Sequence, residues 1–558
     1  MIRSTMTVTK HTPLATRGMV VAEHPVGAEV GAGILKRGGN AVDAAVATAF
    51  AMPVVEPFMS TLAGGGTMLI HMTKRDETVC VDFNVEAPAA AHETSYELAE
   101  GVSTAIFPWR RVVNDANVFG PRSVAIPGSV AGLTLALERW GTMELRDVLQ
   151  PAIKLAEEGF VPDWYVALNT AVFCQELAAF PETARTYLRD GHYIYRTPAM
   201  EGGDVLRQPD LGRSLRLLAK DGAAAFYTGA IAQAIHEEIW VKGGFLTRED
   251  LAGYTPRVLP ALRGEYRGLE LAFSPGATGG TTALETLNIL AQFPKARTTW
   301  KTSGGLHLRA EAVRRAFLDR LEYLGDAERA KSPWGALTSR DYAAQVASAL
   351  KTNGPHRAGP APDPWRYEMS GRGADCTTHL CAVDRQRNMV SLTNTAVSLW
   401  GSRMVVQGTG ILLQNGMVWF DPEPGRINSV APGKRPLVNM VPALGFRKGE
   451  PYLTVGAPGG RKIVSAIPQV IANMVDLGDG PQAAIEAPRL HTEGGDLWVD
   501  DRVGETGLKA LTRMGHPVVP KRAEPGTLYF SRPVAIRVTK KGLEAGLEPL
   551  HAAAAAGH

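Results

Sequence analysis

The hydrophobic pattern divides the chain into two parts of different character. Up to residue 376, apolar and small residues recur at helical intervals, notably over residues 38–57, 145–160 and 305–326. Beyond it, "TTHLCAV" and "NMVSLTNT" flank "DRQR" and predict a β-hairpin, and "PYLTVGAPGG" and "PVAIRVTKKGL" predict further strands. Helices and antiparallel hairpins in one chain indicate an α+β layered architecture.

Prolines and caps set the expected ends of several helices. The first helix is expected to end at Pro53, and the helix over residues 145–160 to bend or restart at Pro151. "LTREDLAGY" carries the Thr-x-x-Asp pattern that caps a helix N-terminus. A later helix is expected from about Ala466 to Leu477, with Pro468 in its first turn.

A Pro- and Gly-rich segment separates the two parts. Residues 351–376, "KTNGPHRAGPAPDPWRYEMSGRGADC", contain four prolines and four glycines without helical or strand periodicity. This composition predicts an exposed, mobile connection.

Composition excludes several functional classes. The chain has 558 residues, 45% hydrophobic and 21% charged, as expected of a folded globular protein. Its 59 basic and 56 acidic residues are interspersed, which argues against a nucleic-acid partner. The four cysteines form no disulfide framework, and no secretory h-region or membrane span is evident. We therefore expect a cytoplasmic protein without a membrane partner.

Metal and cofactor motifs are not evident. No group of His, Cys or carboxylate residues has metal-ligand spacing, and "GAPGGRKI" does not match a phosphate-binding loop. The sequence predicts neither a metal nor a cofactor.

The threonine pair after the linker is a candidate for nucleophilic chemistry. A threonine hydroxyl is a weak nucleophile, but the residue's own free α-amino group can act as its base. Thr377 would gain that amine if the chain were cut after Cys376. From the residues alone, the alternative that β-branched threonines merely begin a strand stays open.

Ten motifs, in order and spacing, resemble the γ-glutamyltranspeptidase family from about His24 to the C-terminal hairpin. They are "HPVGAEVGAGILKRGGNAVDAAVA", "VVEPFMSTLAGGGT", "VAIPGSVAGL", "LQPAIKLAEEGF", "SPGATGGTTALETLNIL", "CTTHLCAVDRQRNMVSLTNT", "GILLQNGM", "GKRPLVNMVPAL", "GAPGGRKI" and "APRLH". The resemblance implies an N-terminal nucleophile hydrolase with a four-layer αββα sandwich. It also implies a precursor that cuts itself into residues 1–376 and 377–558, which stay together as one intertwined domain.

The resemblance also implies roles for individual residues. Thr377 would be the nucleophile for self-cleavage after Cys376 and then for attack on a substrate amide. Thr395 would hydrogen-bond the nucleophile, and Gly459 and Gly460 would supply the N–H groups of an oxyanion hole. From the residues alone, a cross-strand threonine pair and a tight turn before a helix explain these positions equally well. His24 and His379 receive no catalytic role, and we expect both to be structural.

The positions that would hold a γ-glutamyl group depart from the family. Where the resemblance predicts an arginine before "EAP", this chain has Asn84, so a charge-assisted carboxylate contact is missing. Other predicted polar clamp positions are Val397, Gly416, Trp419, Val438 and Asn439. Asn84, Val397, Trp419 and Asn439 are therefore the expected substrate-binding residues, with Arg403 or Arg435 as further candidates.

Three functions follow as hypotheses. The first is a self-cleaving amidohydrolase or acyltransferase for a small-molecule amide with an acyl group other than plain γ-glutamyl, using water or an amine as acceptor. The second is a true γ-glutamyltransferase or glutathione hydrolase with its clamp elsewhere in the chain. The third is a non-catalytic relative that binds a ligand. In the first two, the enzyme would be a heterodimer of its own fragments, with further oligomerisation left open.

Overall fold

The fold is known from a computed structural model that describes residues 8–103, 105–107, 109–199, 202–326, 328–329, 331–350 and 376–558. Residues 351–375 of the expected connection lie outside the described residues. Cys376, which was expected to be exposed, is instead buried at 1% exposure.

The described helices include α1 (Pro25–Lys36), α2 (Ala41–Val55), α3 (Ser129–Trp140), α4 (Leu145–Glu158), α5 (Trp164–Ala178), α6 (Pro181–Tyr187), α7 (Pro209–Asp221), α8 (Ala224–Tyr227), α9 (Ala230–Val241), α10 (Arg248–Gly253), α11 (Gly280–Ala291), α12 (Ser303–Tyr323), α13 (Trp334–Leu337), α14 (Arg340–Ala349), α15 (Lys462–Asp476), α16 (Pro481–Glu486) and α17 (Gly504–Arg513).

The strands include β1 (Leu14–Ala15), β2 (Met19–Ala22), β3 (Gly65–Met72), β4 (Glu77–Phe83), β5 (Leu98–Val102), β6 (Arg110–Val112), β7 (Arg257–Pro260), β8 (Leu262–Tyr266), β9 (Leu269–Phe273), β10 (Thr378–Val383), β11 (Met389–Thr395), β12 (Val405–Val406), β13 (Ile411–Leu412), β14 (Ala443–Arg447), β15 (Glu450–Gly456), β16 (Leu490–His491), β17 (Leu497–Asp500), β18 (Val518–Lys521), β19 (Val534–Thr539), β20 (Gly542–Leu547) and β21 (Ala554–Gly557).

Two seven-stranded antiparallel sheets form the centre of the fold. Sheet I has the order β21-β2-β10-β11-β3-β4-β7, and sheet II has the order β1-β20-β19-β15-β14-β9-β8. In sheet I, β10 and β11, which follow residue 376, lie between β2 and β3, which precede it. Both sides of the Cys376–Thr377 bond therefore share one sheet.

The alternation of side chains along each strand separates three apolar layers. Leu380 and Ala382 of β10 pack against α1 and α2, whereas Cys381 and Val383 pack against sheet II. On its other face, sheet II packs against α11, α12 and α15. The secondary-structure elements thus form four layers, in the order helices, sheet I, sheet II, helices, which confirms the predicted α+β, αββα architecture.

Three prolines lie inside helices. Those at Pro53 and Pro468 contradict the expected helix boundaries, and at Pro151 the expected restart is absent while the expected bend stays a prediction. Helix α2 continues past Pro53 to Val55, and α4 passes through Pro151 without a break. Helix α15 begins earlier than expected, at Lys462, so that Pro468 lies in its interior and not in its first turn. A proline costs about 3 kcal/mol in a helix interior. Buried apolar residues on both sides of each proline offset this cost.

Two local predictions are confirmed. The hairpin of β10 and β11 pairs Val383 with Met389 across the predicted "DRQR" turn. Thr247 caps α10 in a capping box with Asp250, whose N–H donates to Thr247 Oγ1 at 3.1 Å.

Candidate active site

Thr377 lies directly before β10, in the middle of sheet I, and is 3% exposed. The hairpin register pairs Thr378 with Asn394 and His379 with Thr393. Continuing that register by one residue places Thr377 opposite Thr395. Because side chains alternate along a strand, Thr377 shares the face of His379, between the two sheets, while Thr378 points to the α2 side.

Hydroxyl groups converge on the carbonyl of Cys376. The Thr377 hydroxyl donates to the Cys376 carbonyl oxygen, and the Thr395 hydroxyl donates to the same oxygen at 3.0 Å. The two hydroxyl oxygens are 3.4 Å apart, and the Val397 N–H donates to Thr395 Oγ1 at 2.8 Å. The Thr377 hydroxyl oxygen therefore lies beside the peptide bond that precedes it, and the Thr395 hydroxyl donates a hydrogen bond to the carbonyl of that bond.

The burial of Cys376 fixes this carbonyl in place. Its Sγ donates to the carbonyl oxygens of Phe58 (3.0 Å) and Met59 (2.8 Å), and burial raises the pKa of the thiol. The Ala396 N–H also donates to the Met59 oxygen, at 2.9 Å. The loop after α2 therefore binds both the Cys376 side chain and the residue that follows Thr395.

The glycine pair lies between β15 and α15 in conformations that favour glycine. Gly459 has φ of 130° and Gly460 has φ of 56°. A Cβ on Gly459 would lie 2.7 Å from the Cα of Ser531. No hydrogen bond joins either N–H to another described residue. The turn thus offers two backbone donors, as an oxyanion hole requires.

Behind Thr378 lies a buried group of charged side chains that the sequence analysis did not predict. The Thr378 hydroxyl donates to Glu56 Oε2 at 3.1 Å, and burial raises the pKa of Glu56 well above its ordinary value. Arg532, which is also buried, donates to the Tyr165 hydroxyl and interacts with Glu56 and Glu23. Because these residues are far apart in sequence, only the fold brings them together.

The raised pKa of Glu23 predicts how the stability of the folded protein depends on pH. Burial raises it to about 8, against about 4.3 for an ordinary glutamate. Between these values the native state holds a proton that the unfolded state lacks, so stability falls as pH rises across this window, by at most about 5 kcal/mol. As the pH is raised from 5 to 8, the melting temperature of Glu23→Gln should therefore fall less than that of the wild type, as measured by scanning calorimetry.

The exposed Glu29 on α1 provides the control for this prediction. Glu29→Gln should keep the wild-type dependence of melting temperature on pH. Parallel curves for Glu23→Gln and the wild type would show that Glu23 ionises normally in the folded protein.

The predicted substrate-binding residues are brought together only in part. Val397 and Trp419 belong to one buried apolar cluster, which also contains Val438. Asn84 is buried beside it, and its side-chain Oδ1 accepts no hydrogen bond. Asn439 Oδ1 is already engaged, since it accepts from Arg320 at 3.0 Å.

Arg403 and Arg435, the further candidates, are both committed to structural contacts. Arg435 pairs with Asp82 and Glu86, each at 2.7 Å. Arg403 pairs with Glu176 at 2.9 Å and lies against two phenylalanine rings. Both guanidinium groups are thus already engaged by carboxylates, and a contact of either with a substrate stays a prediction.

The two histidines have the structural roles that were expected. His24 caps α1, with Nδ1 accepting from the Val26 N–H at 3.2 Å. His379 Nδ1 is 2.8 Å from Thr393 Oγ1, and burial lowers its pKa to about 3. A neutral, fixed imidazole between the sheets does not act as a base near neutral pH.

The described residues also contain a set of metal-ligand side chains away from Thr377. His307, Glu311 and His516 converge, although the sequence analysis identified no such group. Two of them are four residues apart on α12, while the third comes from far along the chain, so spacing alone did not reveal the set. Among the described residues, every helix is too short or too polar to be a candidate membrane span.

Comparison with known proteins identifies the family. The Gamma-glutamyltranspeptidase profile matches residues 27–558, almost the whole chain. The protein belongs to the γ-glutamyltranspeptidase family. It is therefore an enzyme of the N-terminal nucleophile amidohydrolase and acyltransferase class, as predicted.

Three similar proteins represent two kinds of family member. The chain is 34% identical over 531 residues to a glutathione hydrolase proenzyme of Escherichia coli (strain K12), covering 93% of this chain and 88% of the relative. It is 36% identical over 506 residues to an acylase ACY 1 proenzyme of Pseudomonas sp. (strain SE83), covering 90% of this chain and 88% of the relative. The crystal structure of a cephalosporin acylase from Bacillus halodurans superposes with a TM-score of 0.85 at 27% identity, covering 100% of this chain and 98% of that chain.

Proposed function

We propose that this γ-glutamyltranspeptidase family member cuts its own chain between Cys376 and Thr377 and then hydrolyses amides through an acyl ester on Thr377. The observation that carries the proposal is the pair of hydroxyl groups, of Thr377 and Thr395, on the Cys376 carbonyl. The relatives that are called proenzymes support a precursor of this kind.

In the first reaction, Thr377 Oγ attacks the Cys376 carbonyl carbon and the C–N bond breaks. The hydroxyl proton is transferred to the departing nitrogen, which leaves an ester between Cys376 and the Thr377 side chain. Water then hydrolyses this ester, giving a C-terminal carboxylate on Cys376 and a free α-amine on Thr377. Thr395 stabilises the oxyanion by donating to the carbonyl oxygen.

In the second reaction, the new amine acts as the base. Its ordinary pKa of about 7.7 to 8.0 leaves a useful neutral fraction near pH 7. It takes the hydroxyl proton while Thr377 Oγ attacks the substrate amide, and the leaving amine departs with a proton. Water releases the acyl group as a carboxylate, while Gly459 and Gly460 donate to the oxyanion. The fragments 1–376 and 377–558 remain associated because they share sheet I.

The acyl group is proposed to differ from plain γ-glutamyl. Burying its charged α-amino and α-carboxylate groups against Val397, Trp419 and Val438 would cost several kcal/mol without ionic partners. The pairing of Arg403 and Arg435 supports this view. The acylase relatives suggest the acyl side chain of a β-lactam as one substrate. The family resemblance adds amides of small oxo acids as a second candidate.

A panel of acyl anilides distinguishes this proposal from a true glutathione hydrolase. We expect γ-glutamyl anilide to have a kcat/KM at least about tenfold below that of the best uncharged or singly charged acyl anilide, since 1.4 kcal/mol corresponds to tenfold. Equal or faster turnover of the γ-glutamyl compound would favour the glutathione hydrolase, whose name the E. coli relative bears.

Thr395→Val should slow self-cleavage by about 10²-fold, because the Cys376 carbonyl loses its donor and the Val397 N–H loses its acceptor. The measurement is the rate of fragment appearance on a denaturing gel after synthesis of the precursor. Thr393→Val is the matched control, because Thr393 lies on the same strand face but bonds His379. Cleavage of Thr395→Val at the wild-type rate would remove Thr395 from the mechanism.

The cytoplasmic location remains a proposal. It is supported by the four cysteines, all of which are free, three of them buried.

A further inference from the structure

A buried group of three side chains on the helical side of sheet II has the composition of a metal site. His307 and Glu311 come from α12, and His516 comes from the turn between α17 and β18. Residues four apart on a helix lie on the same face. One potential ligand atom from each of the three lies within 4.8 Å of the other two.

The individual contacts are close. His307 Nδ1 and His516 Nε2 are 2.7 Å apart, and Glu311 Oε1 is 4.0 Å from His516 Nδ1. All three side chains are buried. Two imidazoles and one carboxylate are ligands that zinc and similar divalent ions accept.

The surroundings hold two of the ligands in place. The His516 N–H donates to the Leu511 oxygen at 3.2 Å, and its carbonyl accepts from the Val518 N–H at 2.9 Å. Arg314 donates to Glu311 Oε2 at 2.7 Å, as an outer-shell partner would. Its positive charge will also lower the affinity for a cation.

A tetrahedral ion would take one ligand atom from each of the three side chains and a water as its fourth ligand, after a local rearrangement. Ligand atoms about 2.0 to 2.1 Å from zinc are about 3.3 Å apart. The two imidazole nitrogens would move apart by about 0.6 Å. The His516 ring would also turn, so that one of its nitrogens coordinates the same ion as Glu311.

We propose that His307, Glu311 and His516 bind a divalent transition-metal ion of the zinc class, which joins α12 to the segment that carries α17. The role is structural, because a buried ion would fix to α12 the segment after α17, a helix in which Leu511 is the one fully buried residue. His307 and Glu311 precede residue 376 and His516 follows it. The ion would therefore join the two halves of the chain across the proposed cut.

Zinc binding to the full-length protein tests the proposal. Protein dialysed against a chelator is titrated with zinc sulfate, and stoichiometry is checked by elemental mass spectrometry. We expect about one equivalent of zinc per chain, a melting temperature several degrees above that of the chelator-treated protein, and, with cobalt(II), the visible absorption of a tetrahedral centre.

Variants assign the site. His516→Ala and Glu311→Gln should each weaken zinc binding at least tenfold, and the near-isosteric Glu311→Gln guards against loss of folding. His192→Ala, which removes an exposed histidine, should bind zinc as the wild type does. No saturable uptake by the folded wild type would show that the group is only a hydrogen-bonded cluster. Unchanged binding by both variants would equally overturn the assignment.

Discussion

Thr377→Ala is expected to remain a single chain of 558 residues and to lose amidase activity by at least about 10⁴-fold. The substitution removes the Thr377 hydroxyl, which contacts the Cys376 carbonyl and is the proposed attacking group, and leaves the Thr395 donor in place. Neither the scissile bond nor a substrate amide can then be attacked. Denaturing gels and an anilide assay measure the two losses.

Thr377→Ser is the matched control for this substitution. It keeps an attacking hydroxyl and removes one methyl group, so it should still yield two fragments and retain activity within about 10²-fold of the wild type. A Thr377→Ala protein that is cut at the same bond would place the cleaving nucleophile elsewhere. A Thr377→Ala protein that retains turnover would remove Thr377 from the acyl-transfer step.

Gly459→Ala is expected to reduce kcat by about 10²- to 10³-fold while the precursor is still cut. Losing one oxyanion donor typically costs about 2.7 to 4 kcal/mol. The added Cβ would meet the Ser531 backbone at 2.7 Å and would require a φ of 130°, so the turn must shift. Self-cleavage should be affected less, because Thr395 holds the oxygen of its scissile carbonyl.

Gly478→Ala is the matched control for backbone strain. Gly478 also has a positive φ, of 72°, but a Cβ there would meet no atom within 4 Å, and it lies beyond the C-terminal end of α15. It should lower stability modestly and leave kcat within about twofold. An equal loss of kcat in both variants would indicate that Gly459 acts through folding and not through the oxyanion.

Local patterns in the sequence predicted local structure well. The period-two runs around "DRQR" gave the hairpin, and the Thr-x-x-Asp pattern gave the cap of α10. The helix boundaries expected at Pro53 and Pro468 were wrong because proline preferences are local, whereas the burial of apolar residues on both sides of each proline decides the outcome.

Side-chain partners from distant parts of the chain could not be predicted. Arg435 was a free candidate in the sequence, but its partners, Asp82 and Glu86, lie more than 300 residues earlier. The same holds for Glu56, whose contact with Thr378 spans 322 residues. Motif resemblance predicted Thr377, Thr395 and the glycine turn as site residues, while only the fold showed which charged side chains are already paired.

The most direct test of the account is a mass-spectrometric map of enzyme quenched during turnover of a slow acyl substrate. We expect a small fragment whose N-terminal residue is Thr377, carrying the mass of the acyl group on that residue's hydroxyl. Active enzyme with an intact Cys376–Thr377 bond, or an acyl group on any other side chain, would contradict it.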